Sequence, residues 1–136
     1  MIEYKRDIPL DLDLFIGLYR ASTLAERRPA EDREVMRQMK DHASLTITAW
    51  DGDTLVGIAR TLTDFAYAAY LADLAVAQSH QRRGVGKRLI EETRAALGPQ
   101  CMMVLLAAPA ASDYYAPLGF SHSDRAWMLR GDDALR

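Results

Sequence analysis

A single cysteine, Cys101, stands among the 136 residues, so no intrachain disulfide is available and a stapled secreted fold is excluded. No sign of charge dominates either. Lys and Arg number 17 against 19 Asp and Glu, a net charge of -2, which gives no global attraction to nucleic acid or to an anionic membrane. No stretch approaches the ~18 apolar residues of a membrane span, and Met1 to Asp7 lacks the apolar core of a signal peptide. The expectation is a cytoplasmic chain with no membrane and no nucleic-acid partner. His42, His80 and His122 fall at no metal-ligand spacing, so no metal centre is expected. What is present is ordinary: 49% hydrophobic and 26% charged residues, without repeat, linker or low-complexity tract. The length is close to the ~100–200 residues of one domain, so residues 1–136 are read as a single unit with one core.

The apolar periodicity divides the chain into alternating helices and strands. Residues 11–21 place Leu14, Leu18 and Ala21 at helical spacing behind Asp11 and Asp13, and residues 30–42 carry Val35, Met36 and Met39 after Pro29. Leu45 to Trp50 alternates and is β-branched, Asp51-Gly52-Asp53 supplies a turn, and Thr54 to Leu62 returns as its partner. Residues 68–76 are apolar except for Asp73, as befits a central strand covered on both faces. Strict alternation puts Asp73 on one face with Leu71 and Ala75. Gly84 to Leu97 is amphipathic and ends at Gly98-Pro99, and Met102 to Leu106 is a short buried strand. Ala110 to Leu118 predicts a short helix closed by Gly119, Ala126 to Arg130 a last strand, and residues 131–136 a frayed tail.

Gln81-Arg82-Arg83-Gly84-Val85-Gly86-Lys87-Arg88, between the central strand and the amphipathic helix, holds four of the 17 basic residues and no acid. A helix N-terminus offers unpaired N–H groups and partial positive charge, and glycine lets backbone approach a ligand, so the segment suits a phosphate. A Walker A loop needs Gly at the position of Gln81 and Ser or Thr at Arg88; a Rossmann fingerprint needs Gly at Leu89. Neither ATP hydrolysis nor a nicotinamide cofactor is supported.

Gln81 to Gly86 matches in full the Gln/Arg-x-x-Gly-x-Gly/Ala motif of the GNAT superfamily of N-acetyltransferases, and Asp113-Tyr114-Tyr115-Ala116-Pro117-Leu118-Gly119-Phe120 resembles that family's aromatic-Tyr-x-x-Leu-Gly-Phe segment. The resemblance covers residues 2–130, opening with two helices and a hairpin. It implies an α/β domain with a mixed, mostly antiparallel central β-sheet, helices on both faces and two splayed central strands. It also implies direct transfer of an acetyl group from acetyl-CoA to an amine on a small molecule or peptide. By position, N–H groups from Arg82 to Lys87, with Arg83, Gly84, Val85 and Gly86 between them, would hold the CoA pyrophosphate, and Gln81 at the head of the motif counts with them as cofactor-binding; the main chain of Leu74 and Val76 would bond the pantetheine arm; Tyr115 would protonate the departing thiolate. Ala108 stands where many members have a cofactor-binding Asn, and Pro117 where a helix former is usual. A non-catalytic acyl-CoA-binding module is therefore the competing reading.

Asp73 has two readings, a base or anchor for the acceptor amine and a hydrogen-bonded structural acid. His80 borders the phosphate loop and is read as a solvated surface residue, and Cys101 as packing at a strand start. Trp50, Phe65, Tyr67 and Tyr70 line an acceptor cavity or fill core. The segment from Ser22 to Ala43 is expected to shape the acceptor pocket, and a symmetric dimer is the general prior for a small enzyme.

Overall fold

The computed structural model describes residues 1–136. Its strands are β1 (Ile2–Arg6), β2 (Leu45–Asp51), β3 (Thr54–Thr63), β4 (Ala68–Val76) and β5 (Met102–Val104), and its helices α1 (Leu12–Ala21), α2 (Arg33–Asp41) and α3 (Val85–Ala95). The strands form one sheet in the order β1-β2-β3-β4-β5, antiparallel except for the parallel β4–β5 pair. The chain divides into two units, residues 1–106, which hold the sheet and all three helices, and residues 107–136.

Both early helices start on a side-chain cap. Asp11 accepts from the Leu14 N–H at 3.1 Å and Asp32 from the Val35 N–H at 3.2 Å, which satisfies donors that the helix itself leaves free. The apolar face of α1 is turned from the expected one: Phe15, Ile16, Leu18 and Tyr19 are buried, whereas Leu14 lies exposed. Phe15 and Tyr19, one turn apart with ring centroids 4.7 Å from each other, are the heavier pair and win the core.

Residues 57 and 60 of β3 are an odd number apart and so face opposite sides. A Cβ at Gly57 would sit 3.1 Å from Leu89 and 3.2 Å from Val85, so α3 covers that side; Arg60 shares a buried cluster with Tyr19 of α1 on the other. The sheet is thus covered by helices on both faces.

Several expectations need correcting. The chain opens with β1, not with a helix. Its alternation is short and charged, and pairing with β2 from Ile2↔Asp51 to Arg6↔Ile47 makes it a strand. In β4 the register slips between Arg60 and Thr61: Arg60 pairs with Asp73 but Thr61 with Leu71, leaving Ala72 as a bulge. The extra residue puts Leu71 on the face opposite Asp73, whereas Ala75, paired with Ile58, stays on the same one. β5 stops at Val104 rather than Leu106. In the second unit the expected helix is two separate 3-10 turns, Pro109–Ala111 and Ala116–Leu118; Pro117, inside the expected helix, withdraws a backbone donor and crowds the preceding turn, whereas Pro109 sits at a turn start that tolerates it. Residues 126–130 pair with no strand, since alternation supplies a pattern but not a partner.

The contact at Gly57 sets how closely α3 lies on the sheet. Gly57→Val should lower the free energy of unfolding by about 1–3 kcal/mol through overpacking against Leu89, Val85 and Ala49. The check is urea denaturation, in which an unchanged midpoint would mean that α3 is free to shift.

Candidate functional site

The end of β4 and the turn into α3 form one continuous piece of backbone with its polar groups turned outward. The Ala77 N–H donates to the Val56 C=O at 2.8 Å, and hydrogen-bonded pairs alternate along an antiparallel ladder. From this pair and the register Ile58↔Ala75, Ala59↔Leu74, it follows that Ala75 bonds to β3 while Leu74 and Val76 direct their N–H and C=O groups to the opposite edge. On that edge β5 pairs with Ala68 to Tyr70 and no further. The strands β4 and β5 therefore part beyond Tyr70, and the main chain of Leu74 and Val76 is left without a sheet partner.

Past β4, a short 3-10 turn (Gln78–His80) leads into the basic segment. Arg82 (φ 63°) and Gly84 (φ 80°) are both left-handed, which swings the chain over and into α3. For a non-glycine residue that conformation costs roughly 1–2 kcal/mol, a strain the surrounding contacts must hold. The first bond of α3 runs from the Arg88 N–H to the Gly84 C=O at 3.1 Å, so the N–H groups just ahead of it have no acceptor within the helix. Arg82, Arg83 and Lys87 are exposed and make no ion pair. Arg88 differs: it pairs with Glu92 at 2.8 Å and lies 5.1 Å over the Tyr4 ring. Cations, free amides and helix dipole point the same way, and together they favour an anion.

Two contacts fix this loop. Gln81 Nε2 donates to the Val76 C=O at 3.0 Å, so the Gln81 side chain ties the start of the loop to the end of β4, and the Val76 N–H stays available. His80, expected as a solvated side chain, is instead mostly covered: Nε2 meets Asp51 Oδ2 at 2.8 Å and Nδ1 meets Ser79 Oγ at 2.7 Å. The hydrogen bond from His80 holds the Asp51 carboxyl below its usual range. The histidine thus pins the loop to the β2–β3 turn. Its signal in the sequence was absent, because its partner lies in a distant hairpin.

Asp73 is the centre of a buried cluster that the sequence only half disclosed. Its side chain is fully covered, with Oδ1 accepting from Arg28 Nε at 2.6 Å and Oδ2 from Arg60 Nε at 2.5 Å and from the Tyr19 hydroxyl. Arg28 also donates from Nη2 to the Ala72 C=O at 3.0 Å and from Nη1 to the Arg27 C=O at 2.8 Å, and Arg60 Nη1 reaches the Met39 C=O at 3.4 Å. Burial, then the neighbouring Asp73 carboxylate, pushes the Tyr19 phenol well above its ordinary range, which keeps it a proton donor to the carboxylate. Burial works against the Arg60 charge, but Asp73 and Tyr19 outweigh it and raise its pKa. Arg60 could have been found as the lone cation of an apolar strand opposite a lone acid. Arg28 and Tyr19 carried no such signal.

The second unit holds Tyr115. It caps the Ala116–Leu118 turn, its C=O accepts from the Leu118 and Phe120 N–H groups, and its ring makes edge contacts with Tyr114 and Phe120, at centroid distances of 5.1 and 5.5 Å. Burial, then Tyr114, raises its phenol above the ordinary value. Of the aromatic residues considered for an acceptor cavity, Trp50 is buried with Nε1 bonded to Thr48 Oγ1 at 2.8 Å, and Tyr67 is exposed. Cys101 is half-buried just ahead of β5, as expected. No helix is long and apolar enough to cross a membrane.

The cluster predicts the behaviour of Asp73→Asn. Removing one carboxylate leaves two guanidiniums facing each other in a covered site, and such a loss costs about 3–5 kcal/mol. Denaturant unfolding should show a loss of that size. A loss below ~1 kcal/mol would mean that water reaches the cluster and takes over the arginines.

Comparison with known proteins bears on the family and the fold. A model of the acetyltransferase (GNAT) domain matches residues 21–131. None of the curated proteins matches the sequence. Among solved structures, a probable acetyltransferase from meticillin-resistant Staphylococcus aureus superposes with a TM-score of 0.78 at 22% identity, over 96% of this chain and 98% of that one. A GNAT-family acetyltransferase from Streptococcus pneumoniae gives 0.71 at 24%, over 96% and 99%. The aminoglycoside N-acetyltransferase AAC(6')-Iy, solved in complex with CoA, gives 0.72 at 18%, over 97% and 95%. At these identities the likeness concerns the fold.

Proposed function

The chain belongs to the GNAT family of acetyltransferases, and on that premise we propose which of its residues hold acetyl-CoA and which complete the transfer. Its activity is acetyl-CoA-dependent N-acetylation of an amine. Acetyl-CoA supplies the acetyl group as a thioester, whose carbonyl carbon an uncharged amine attacks while the C–S bond breaks. The observation that carries the assignment is the junction of the unpaired β4 edge with the amide-rich start of α3.

In this reading the N–H groups from Arg82 to Lys87 bind the pyrophosphate, with Arg83 and Lys87 adding charge. Gln81 positions the loop through Val76. The free main-chain groups of Leu74 and Val76 bond the amide-bearing pantetheine arm. An N–H on this strand then polarises the thioester carbonyl, which is worth most as the oxygen gains charge. Tyr115 gives its proton to the departing sulfur. Its phenol, like any tyrosine's, is protonated at neutral pH, the form a general acid needs, and burial shifts it further in that direction. Ala108 removes one polar contact to the cofactor and Pro117 bears on the turn that carries Tyr115, but neither touches the phosphate loop. For Asp73, the fully occupied carboxylate supports a positioning role: it holds Arg28 and Arg60 against β4 rather than taking a proton from the acceptor.

We take the acceptor to be a small-molecule amine, the setting to be the cytoplasm, the assembly to be a homodimer and residues 1–136 to act as one catalytic domain.

Calorimetry should show CoA binding to the wild type. Gly84→Val places a β-branched residue at φ 80° and should weaken binding at least tenfold; equal affinity would remove the loop from the CoA site. Tyr115→Phe keeps the ring, so CoA affinity should persist while kcat falls by ~10²–10⁴. With a good acceptor and chemistry rate-limiting, an unchanged kcat would pass the acid role to another group. CoA binding without thiol release on any amine would favour the non-catalytic module.

A further inference from the structure

The Asp73 cluster holds two guanidiniums against one carboxylate, so it carries surplus positive charge, and the half-buried Arg28 brings that surplus to the surface. Arg28 spends Nε on Asp73, one Nη1 hydrogen on the Arg27 C=O and one Nη2 hydrogen on the Ala72 C=O. A guanidinium has a second hydrogen on each terminal nitrogen, and those of Arg28 bond to nothing else in the chain. The fork is therefore held rigidly on three sides and still has paired donors to offer.

Its place on the sheet gives those donors a purpose. Ala72 is the bulge residue of β4, two residues before Leu74, whose main chain faces the unpaired edge. Two strand residues span about 6.5 Å, so a ligand group seated on Arg28 lies only a few bonds from whatever the Leu74 edge holds.

We infer that Arg28 is the acceptor-selecting residue, and that the preferred acceptor is a small amine carrying a carboxylate or phosphate within a few bonds of its nitrogen. This rests on the reading of Leu74 and Val76 as the acyl-CoA edge. The anion receives charge-assisted hydrogen bonds from a preorganised fork, which places the amine at the thioester. The same surplus charge disfavours a second cation nearby, so the amine is held in its uncharged, nucleophilic form and polycationic acceptors are poor substrates. Asp73 acts through Arg28, as a positioning residue.

The test follows thiol release by the full chain with matched acceptors: the L-amino acids against their α-amides for the carboxylate, and phosphoethanolamine against ethanolamine for the phosphate. An α-amide has the less basic amine and thus more free base at neutral pH, so any preference for the acid runs against nucleophile supply. The expected result is a kcat/KM about 10–10² higher for the anionic member of at least one pair, carried by KM, as a charge-assisted bond of ~1.5–3 kcal/mol gives. Arg28→Gln should erase that preference while leaving CoA affinity unchanged. Should Arg28→Gln fail to fold, Arg28→Lys serves, since it keeps the charge but loses the fork and should cut the preference severalfold. Equal treatment of both members by the wild type, or a preference that survives in the variants, overturns the inference. If CoA binds but no acceptor turns over, the catalytic reading fails by itself. Calorimetry of the same pairs on the CoA complex then decides: tighter binding of the anionic member, lost in the variant, supports the role of Arg28, and equal or absent binding overturns it.

Discussion

A buried carboxylate has to be matched by charge or by hydrogen bonds, and at Asp73 that requirement organises the molecule. Its partners come from four places in the sequence: Tyr19 on α1, Arg28 in the segment between α1 and α2, Arg60 on β3 and, through Arg60, the Met39 carbonyl of α2. Each would be costly to bury alone. Held together, they fasten the segment between α1 and α2 to the middle of the sheet. A hydrophobic core could supply the stability of that contact, but not its directionality.

The bulge at Ala72 belongs to the same arrangement. Because Asp73 faces α1 and Leu71 the α3 side, the strand changes its face within two residues, and the freed Ala72 carbonyl becomes an acceptor for Arg28. The polar cluster, the bulge and the unpaired edge at Leu74 and Val76 are successive steps along one strand. On the other side of the sheet, the close approach of Val85 and Leu89 to Gly57 brings the start of α3 next to that strand's end. Charge fixes one face and packing the other, and the basic loop ahead of α3 lies where the two meet.

How much of this could be read from the sequence varied with how local the cause was. The range of β4, the Asp51-Gly52 turn and the glycine-bearing entry to α3 depend on neighbouring residues, and they were legible. Asp73 was conspicuous as a lone acid, but its partners Tyr19 and Arg28 are brought in by tertiary packing, which no window of sequence contains. The β1 strand was hidden because its alternation is brief and charged, and only β2 makes it a strand. Around Trp127 the opposite happened: the pattern suits a strand, yet no neighbour is there to pair with it. The bulge was invisible for a related reason, since one inserted residue leaves the apolar pattern of β4 unchanged when both its faces are covered.

The unpaired stretch of β4 also has a meaning for how copies of this chain meet in solution. An open strand edge is a template on which another polypeptide can add, the first step of edge-to-edge aggregation. Here the vulnerable positions run directly into Arg82, Arg83 and Lys87, none of which is neutralised by an acid. Two molecules aligning these edges in parallel would bring like charges together, and the repulsion disfavours that pairing. The cations beside the edge are thus placed as gatekeepers against that pairing, whatever ligand they hold.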